Sequence, residues 1–234
     1  HLLELRTRLI VAVIAIVIGM FAGMFFTEKF LNVLLIPLGD YIPQTIEPTE
    51  SLIVYFKIAL ILGLIGAMPV IIYEIIAFIL PAMLPKERRY LYFMLPGVTV
   101  FFASGVAFAA YVMLPAAITF MQGFLSEIVN NQWTLQSYVS FTTRVMFWMG
   151  VVFQTPLLMY LFARMGIVNS SQYAKARKYA IVIAAVVAAM VTPTPDPVNM
   201  MIVMVPIYLL FELGVLFSRL AKPLKRDETT PKAS

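Results

Sequence analysis

Residues 1–26 read HLLELRTRLIVAVIAIVIGMFAGMFF. Glu4, Arg6 and Arg8 crowd the threshold of an apolar run, Leu9 to Phe26, that carries no charge. An apolar stretch of about 20 residues crosses the hydrocarbon of a bilayer as a helix, so this segment reads as a transmembrane helix with a charged collar. No small-residue cleavage site follows it, and it is read as a retained helix rather than a signal peptide. Basic residues are expected beside a span. The acid among them needs a partner.

The remainder of the chain has the same character. Of 234 residues, 62% are hydrophobic and 12% charged, with a mean hydropathy of +0.91, whereas soluble domains carry roughly a quarter charged residues. The net charge of +5 does not indicate nucleic acid, because most basic residues flank apolar runs instead of gathering on a wet face. There is no Cys, and the single His stands at position 1. That removes disulfides, thiolate metal sites and Cys nucleophiles, and leaves imidazole chemistry without a suitable position. No GxxxxGK[ST], GxSxG or HExxH occurs, so the inventory argues against catalysis, metal and cofactor.

Counting spans gives the architecture. Leu9–Phe26, Leu52–Leu80, Tyr90–Met121 and Phe141–Met165 are clear; Tyr179–Val191 and, after TPTPDP, Val198–Phe217 make six. The fifth has 13 residues, about 20 Å of helix, against a hydrocarbon core near 30 Å. It must draw in polar flanks or thin the bilayer around it. An even count puts both termini on one side. Fourteen of the 17 Lys and Arg residues fall on that side, which the positive-inside rule makes cytoplasmic. Glu28, Asp40, Glu47, Glu50, Glu127 and Asp196 make the opposite loops acidic. The expectation is a single domain over residues 1–222 with a polar, disordered tail at 223–234.

Certain residues stand out from this plan. Glu4 pairs with Arg8 at i, i+4 spacing, or it acts with Glu87, in Pro85-Lys86-Glu87-Arg88-Arg89, as a second carboxylate on one rim that receives cations from a partner. Glu87 alone also complements the dipole of a helix opened by Pro85. Glu74, Gln154 and Glu212 lie within spans, where polar groups face protein, water or a functional path. Glu74 and Glu212 are near enough to the terminal side to snorkel; Gln154 is not. It precedes Pro156, which should kink the fourth span. Lys57 and Arg144 are expected to reach the opposite, acidic surface. Pro37, Pro43 and Pro48 make the first outer loop a stiff cap with short helical pieces.

HLLELRTRL, LLIPL, MPVIIYEIIAFILPAMLPKERR and TPTPDP, in this order and spacing, resemble the signatures of the TatC family, the multispanning receptor of the twin-arginine protein translocase. The resemblance covers essentially the whole chain. It implies an all-α membrane protein of six transmembrane helices in a curved, cup-like arrangement with the last two helices short. The implied function is that of a receptor for twin-arginine signal peptides, which moves folded proteins with the single-span partners TatA and TatB, in a multimeric complex in the plasma membrane. Proton-motive force is the implied energy source. By the same resemblance Glu4 and Glu87 receive the peptide's arginines, with Arg6 and Phe78 in the same site, while Pro37, Gln154, Asp196 and Asn199 fall on positions serving translocation or partner contacts. Many members carry Glu at Gln154, and a Gln often follows the TPxPD turn where this chain has Asn199. Gln154 hydrogen-bonds but carries no charge. The lack of an initiator Met implies that a few residues precede His1. Two competing readings are an ion-coupled transporter of small solutes, which lacks the paired repeats such folds show, and an intramembrane enzyme, which lacks a catalytic motif.

Overall fold

The computed structural model describes residues 2–39, 41–79, 85–123, 133–192 and 197–221, the side chains at 2, 79 and 85–93 excepted. The expected turn at 193–196, the expected tail and most of the expected loop around Asn130 fall on residues outside these. The first span is α1 (Leu2–Met24); α2 (Thr27–Leu35) and a 3₁₀ turn (Ile36–Leu38) follow, then the second span, α3 (Glu50–Ile79). The third is built from α4 (Pro85–Phe108), a π turn (Ala109–Met113) and α5 (Leu114–Gly123); the fourth from α6 (Leu135–Val152) and α7 (Thr155–Arg164). After a short α8 (Ser170–Lys175) come α9 (Arg177–Val191) and α10 (Pro197–Leu220). Five of these spans are long and apolar enough to cross a membrane, and α9 is the sixth.

The expected shortness of the last two helices applies in length only to α9. That helix has 15 residues, about 22 Å. The final helix, α10, has 24, about 36 Å, because Pro197 starts it at once and Ser218-Arg219-Leu220 extend it beyond the apolar run.

Proline sets the interruptions. A proline lacks the N–H and collides with the carbonyl four residues earlier. Pro156 would meet Val152, and α6 ends at Val152. Pro115 would meet Tyr111, and the chain there widens into the π turn. The break in the fourth span lets its halves serve different neighbours: α6 packs on α3 and α4, whereas α7 packs on α10. The result is a curved row with α1 on α3 at one end and α9 on α10 at the other. Phe102, Ile58, Ile118, Tyr138, Met146 and Met149 are fully buried at its centre. The α7 helix stops at a Schellman motif, with Gly166 at φ 73° and Ile167 N–H donating to Phe162 C=O at 3.0 Å.

Glycines fix three helix crossings. A Cβ on Gly63 of α3 would lie 2.5 Å from Met20 N, and one on Gly19 of α1 would lie 2.6 Å from Gly63 O. Gly23, one turn on, is equally closed by Ala59 O at 2.9 Å. This Gly19-x-x-x-Gly23 stripe brings the α1 and α3 backbones into contact, the small-residue packing that replaces the hydrophobic effect inside lipid. Gly105 of α4 meets Met149 O at 2.6 Å in the same way, while Gly214 of α10 makes room for the Met159 side chain, with Pro156 Cα of α7 at 3.3 Å.

The face opposite the termini is closed by polar bonds. Gln44 pairs with Thr134 as a parallel bridge, through Gln44 N–H to Trp133 C=O at 3.1 Å and Leu135 N–H to Gln44 C=O at 2.9 Å. Buried Glu50 accepts from the N–H groups of Ile46 and Gln136. Tyr55 donates to Met24 C=O at 2.9 Å, a carbonyl at the end of α1, and Thr27 donates to Gly23 C=O at 3.1 Å, which also accepts Phe26 N–H at 2.9 Å. The expected stiff cap is thus present, and its rigidity comes from these bonds as well as from proline.

Candidate functional site

At the terminal face, α1 begins where α3 ends. Arg8 lies six residues, about 9 Å, beyond the start of α1, and Glu74 five residues, about 8 Å, before the end of α3. The two side chains therefore stand at one depth. Arg8 Nη1 donates to Glu74 Oε2 at 2.8 Å, while its Nη2 and Nε donate to Glu4 Oε1 at 2.8 and 3.2 Å. One guanidinium thus bridges two carboxylates. The exposures differ: the Glu74 side chain is 15% accessible and the Glu4 side chain 38%. Glu74 is a carboxylate against apolar wall, which requires a cation, whereas Glu4 is open to water.

Below this cluster runs a groove of about 560 Å³ between α1 and α3, closed at one side by Phe147 of α6. Leu9, Val13, Met68 and Ile75 line it, Phe78 stands at its edge, and Arg8 and Glu74 are the charged groups among its lining residues. Of the predicted site residues, Phe78 lines this groove and Glu4 meets it through Arg8. Arg6 lies on the same helix but is exposed. Glu87 is in the first turn of α4, at the same face, with its side chain outside the described residues. Helix α3 packs against both α1 and α4.

The other predicted residues lie elsewhere. Gln154 is buried at the break in the fourth span, where its Nε2 donates to Val98 C=O at 3.1 Å and its Oε1 accepts no bond among the described residues. Asn199 is buried in the first turn of α10, lining a small pocket with Thr192. Pro37 is half-buried in the 3₁₀ turn on the far face. Asp196 lies outside the described residues. Glu4 and Phe78 are linked only through Arg8 and its groove, and Gln154, Asn199 and Pro37 stand apart from that cluster.

Two partnerships escaped the sequence reading. Glu74 and Glu212 do not simply snorkel: Glu74 holds Arg8, and Glu212 receives Arg177 Nε at 2.7 Å and Nη2 at 2.9 Å, with the Tyr208 hydroxyl at 2.9 Å. This second clasp ties the start of α9 to α10. Matching depths from the helix ends was the available signal. Lys57 likewise does not reach for an acidic surface; its Nζ donates to Ser140 Oγ of α6 at 2.7 Å. With Glu74 and Glu212 paired to arginines, two of the three intramembrane groups that suggested a solute transporter are accounted for.

A six-span helical membrane protein with a charged rim on its terminal face is the class that fold and site define. The chain belongs to the TatC family: the model of the Sec-independent protein translocase protein (TatC) matches residues 1–206. The Sec-independent protein translocase protein TatC of Carboxydothermus hydrogenoformans is 33% identical over 95% of this chain and 93% of that protein. The Escherichia coli TatC is 34% identical over 97% of this chain and 91% of its own length. A crystal structure of the twin-arginine translocase receptor TatC superposes with a TM-score of 0.78 at 33% identity, over 94% of this chain and 99% of that one.

Proposed function

We propose that this chain is the signal-peptide receptor and core subunit of a translocase for folded proteins, and that its terminal face, on the cytoplasmic side of the plasma membrane, binds paired arginines through Glu4 and Glu87. The observation that carries this reading is Glu4 itself: a partly exposed carboxylate that already holds a guanidinium by two N–H groups. Arginine presents a planar fork suited to such an acceptor, while lysine presents a compact and strongly hydrated charge. Successive side chains of an extended peptide point to opposite sides, so one arginine faces α1 and the other α4, across the α3 helix that packs on both.

Charge alone is insufficient. Two hydrogen-bonded charged contacts contribute at most about 6 kcal/mol, and micromolar binding needs about 8. The apolar groove beside Phe78 supplies the difference, at about 0.8 kcal/mol for each methylene of the peptide's apolar segment that it buries. The carboxylates select and the groove retains. Phe78 and Arg6 belong to this recognition site, and Pro37, Gln154, Asp196 and Asn199 to translocation and partner contacts. The open Gln154 Oε1 suits a donor from an inserting helix. Single-span proteins of the TatA and TatB kind, and further copies of this chain, complete the machine. The chain acts without catalysis, and the energy comes from the proton-motive force.

The test is crosslinking to a labelled peptide with two consecutive arginines ahead of an apolar run. Glu4→Ala and Glu87→Ala each weaken capture while expression and membrane insertion stay intact. Equal capture by the wild type and the double variant would reject the assignment.

A further inference from the structure

We propose that Arg8 is an internal stand-in for the ligand's guanidinium, and that Glu74 is the positioning residue that keeps Arg8 when the ligand arrives. The proposal rests on Glu4 being a receiving carboxylate and adds what the resting site contains and how it exchanges. In the free protein Glu4 is already engaged, because Arg8 Nη2 and Nε both donate to its Oε1. An incoming arginine therefore meets an occupied acceptor.

Three features make that occupation exchangeable. First, the cluster is one cation short: two carboxylates face a single guanidinium among the described residues. Second, Arg8 has two seats, and they differ in exposure. The Glu74 seat is 15% accessible against the groove and the Glu4 seat 38% accessible. Ion pairs open to water are weak and readily exchanged, while a carboxylate against apolar wall holds its cation. Third, the donors are already divided, with Nη1 on Glu74 and the other two on Glu4. Arg8 can leave Glu4 without losing its bond to Glu74. Arrival of one peptide arginine then yields two carboxylates with two guanidinium groups, each acid with its own partner.

This arrangement also gives discrimination. The ligand must replace a fork of N–H groups on Glu4 by groups at least as good, and an ammonium, with no planar fork, is the poorer competitor. Without Glu74, Arg8 would have Glu4 as its sole seat and would compete at full strength.

The experiment uses the full chain in detergent micelles and a fluorescent synthetic peptide in arginine-pair and lysine-pair versions. Glu74→Gln is expected to bind the arginine peptide about three- to tenfold more weakly, the scale of one partly exposed charged hydrogen bond. The pair variant Arg8→Gln with Glu74→Gln removes the competitor together with the acid that seats it. It is expected to recover wild-type affinity or better and to retain the preference for arginine over lysine. If Glu74 merely supports helix packing, the pair variant binds as weakly as Glu74→Gln, and the proposal is overturned. Wild-type affinity in Glu74→Gln overturns it as well. Glu4→Gln separates the two levels: an unchanged arginine preference there removes Glu4 as the receiving acid, and the reading beneath this proposal fails with it. Thermal unfolding of each variant distinguishes loss of binding from loss of fold.

Discussion

Adding one methyl group to Gly63 should separate α1 from α3. In Gly63→Ala the new Cβ would stand 2.5 Å from Met20 N, 2.8 Å from Met20 Cα and 2.9 Å from Gly19 C. All three are backbone atoms, so no side chain can swing aside. Carbon contacts settle near 3.5–4.0 Å, and α1 must therefore retreat by about 1 Å. Overpacking of this kind costs about 1–3 kcal/mol, which in a chain of this size lowers the melting temperature by roughly 2–4 °C for each kcal/mol. The displacement reaches the terminal face too: the Arg8–Glu74 contact, 2.8 Å in the native protein, would stretch beyond hydrogen-bonding range. Gly66→Ala is the matched control. It lies one turn along the same helix, nothing stands within 4 Å of its added Cβ, and it should be neutral or slightly stabilising because alanine favours helix by about 1 kcal/mol over glycine. Thermal unfolding in detergent, followed by tryptophan fluorescence, compares the two. Equal melting temperatures for Gly63→Ala and Gly66→Ala would refute the close crossing and its effect on the rim.

The second clasp should be graded by geometry: Arg177→Ala loses more stability than Arg177→Lys, because the Glu212 pair is bidentate but partly exposed; limited proteolysis at the α8–α9 junction should rise most in Arg177→Ala. Glu50→Ala strands two backbone N–H groups, at about 1–3 kcal/mol each, and should destabilise more than Glu50→Gln, which keeps one acceptor oxygen; thermal unfolding ranks them. Inserting four Leu into α9 would raise its 15 residues to roughly the 20 that match a bilayer core. If the short helix thins the membrane, transport of a folded reporter into vesicles should fall while peptide capture is unchanged, and undiminished transport would remove thinning as a requirement.

How much was legible follows from what each feature depends on. Span order follows from the apolar runs, and the boundaries moved by up to seven residues; α1 starts at Leu2 rather than Leu9 because the collar Glu4-Leu5-Arg6-Thr7-Arg8 is itself helical. The break at Gln154 was readable because Pro156 removes a bond within the same helix. Contacts between helices were not. Whether Glu74 meets Arg8 or water depends on how α1 crosses α3, and that crossing is set by Gly19, Gly23 and Gly63. The Gly19-x-x-x-Gly23 spacing was in plain view, yet it names no partner helix. The length of α10 was underestimated because hydropathy marks where lipid contact ends, while helical hydrogen bonding continues into Ser218-Arg219-Leu220.

The two ends of the molecule are fastened by different chemistry, and the difference bears on which end receives a ligand. On the far face the loops are joined largely through backbone groups: Gln44 with Trp133 and Leu135, Glu50 with Ile46 and Gln136, Tyr138 with Leu34 C=O. The Tyr138–Leu34 bond is buried, and a buried backbone group that loses its partner has nothing to replace it, so that bond resists exchange. On the terminal face the fastenings are guanidinium–carboxylate clasps at partly accessible side chains, Arg8 with Glu4 and Glu74, Arg177 with Glu212. Their partners can be substituted by any ligand that brings the same groups, and water covers the intermediate step. On the function proposed above, a peptide carrying guanidinium groups competes at the terminal face, and among the described residues the other face holds no guanidinium–carboxylate clasp to compete for. Close glycine packing beneath the Arg8 clasp holds α1 on α3 independently of the charges above it, so the exchange proposed for the rim would not loosen the helices that present it.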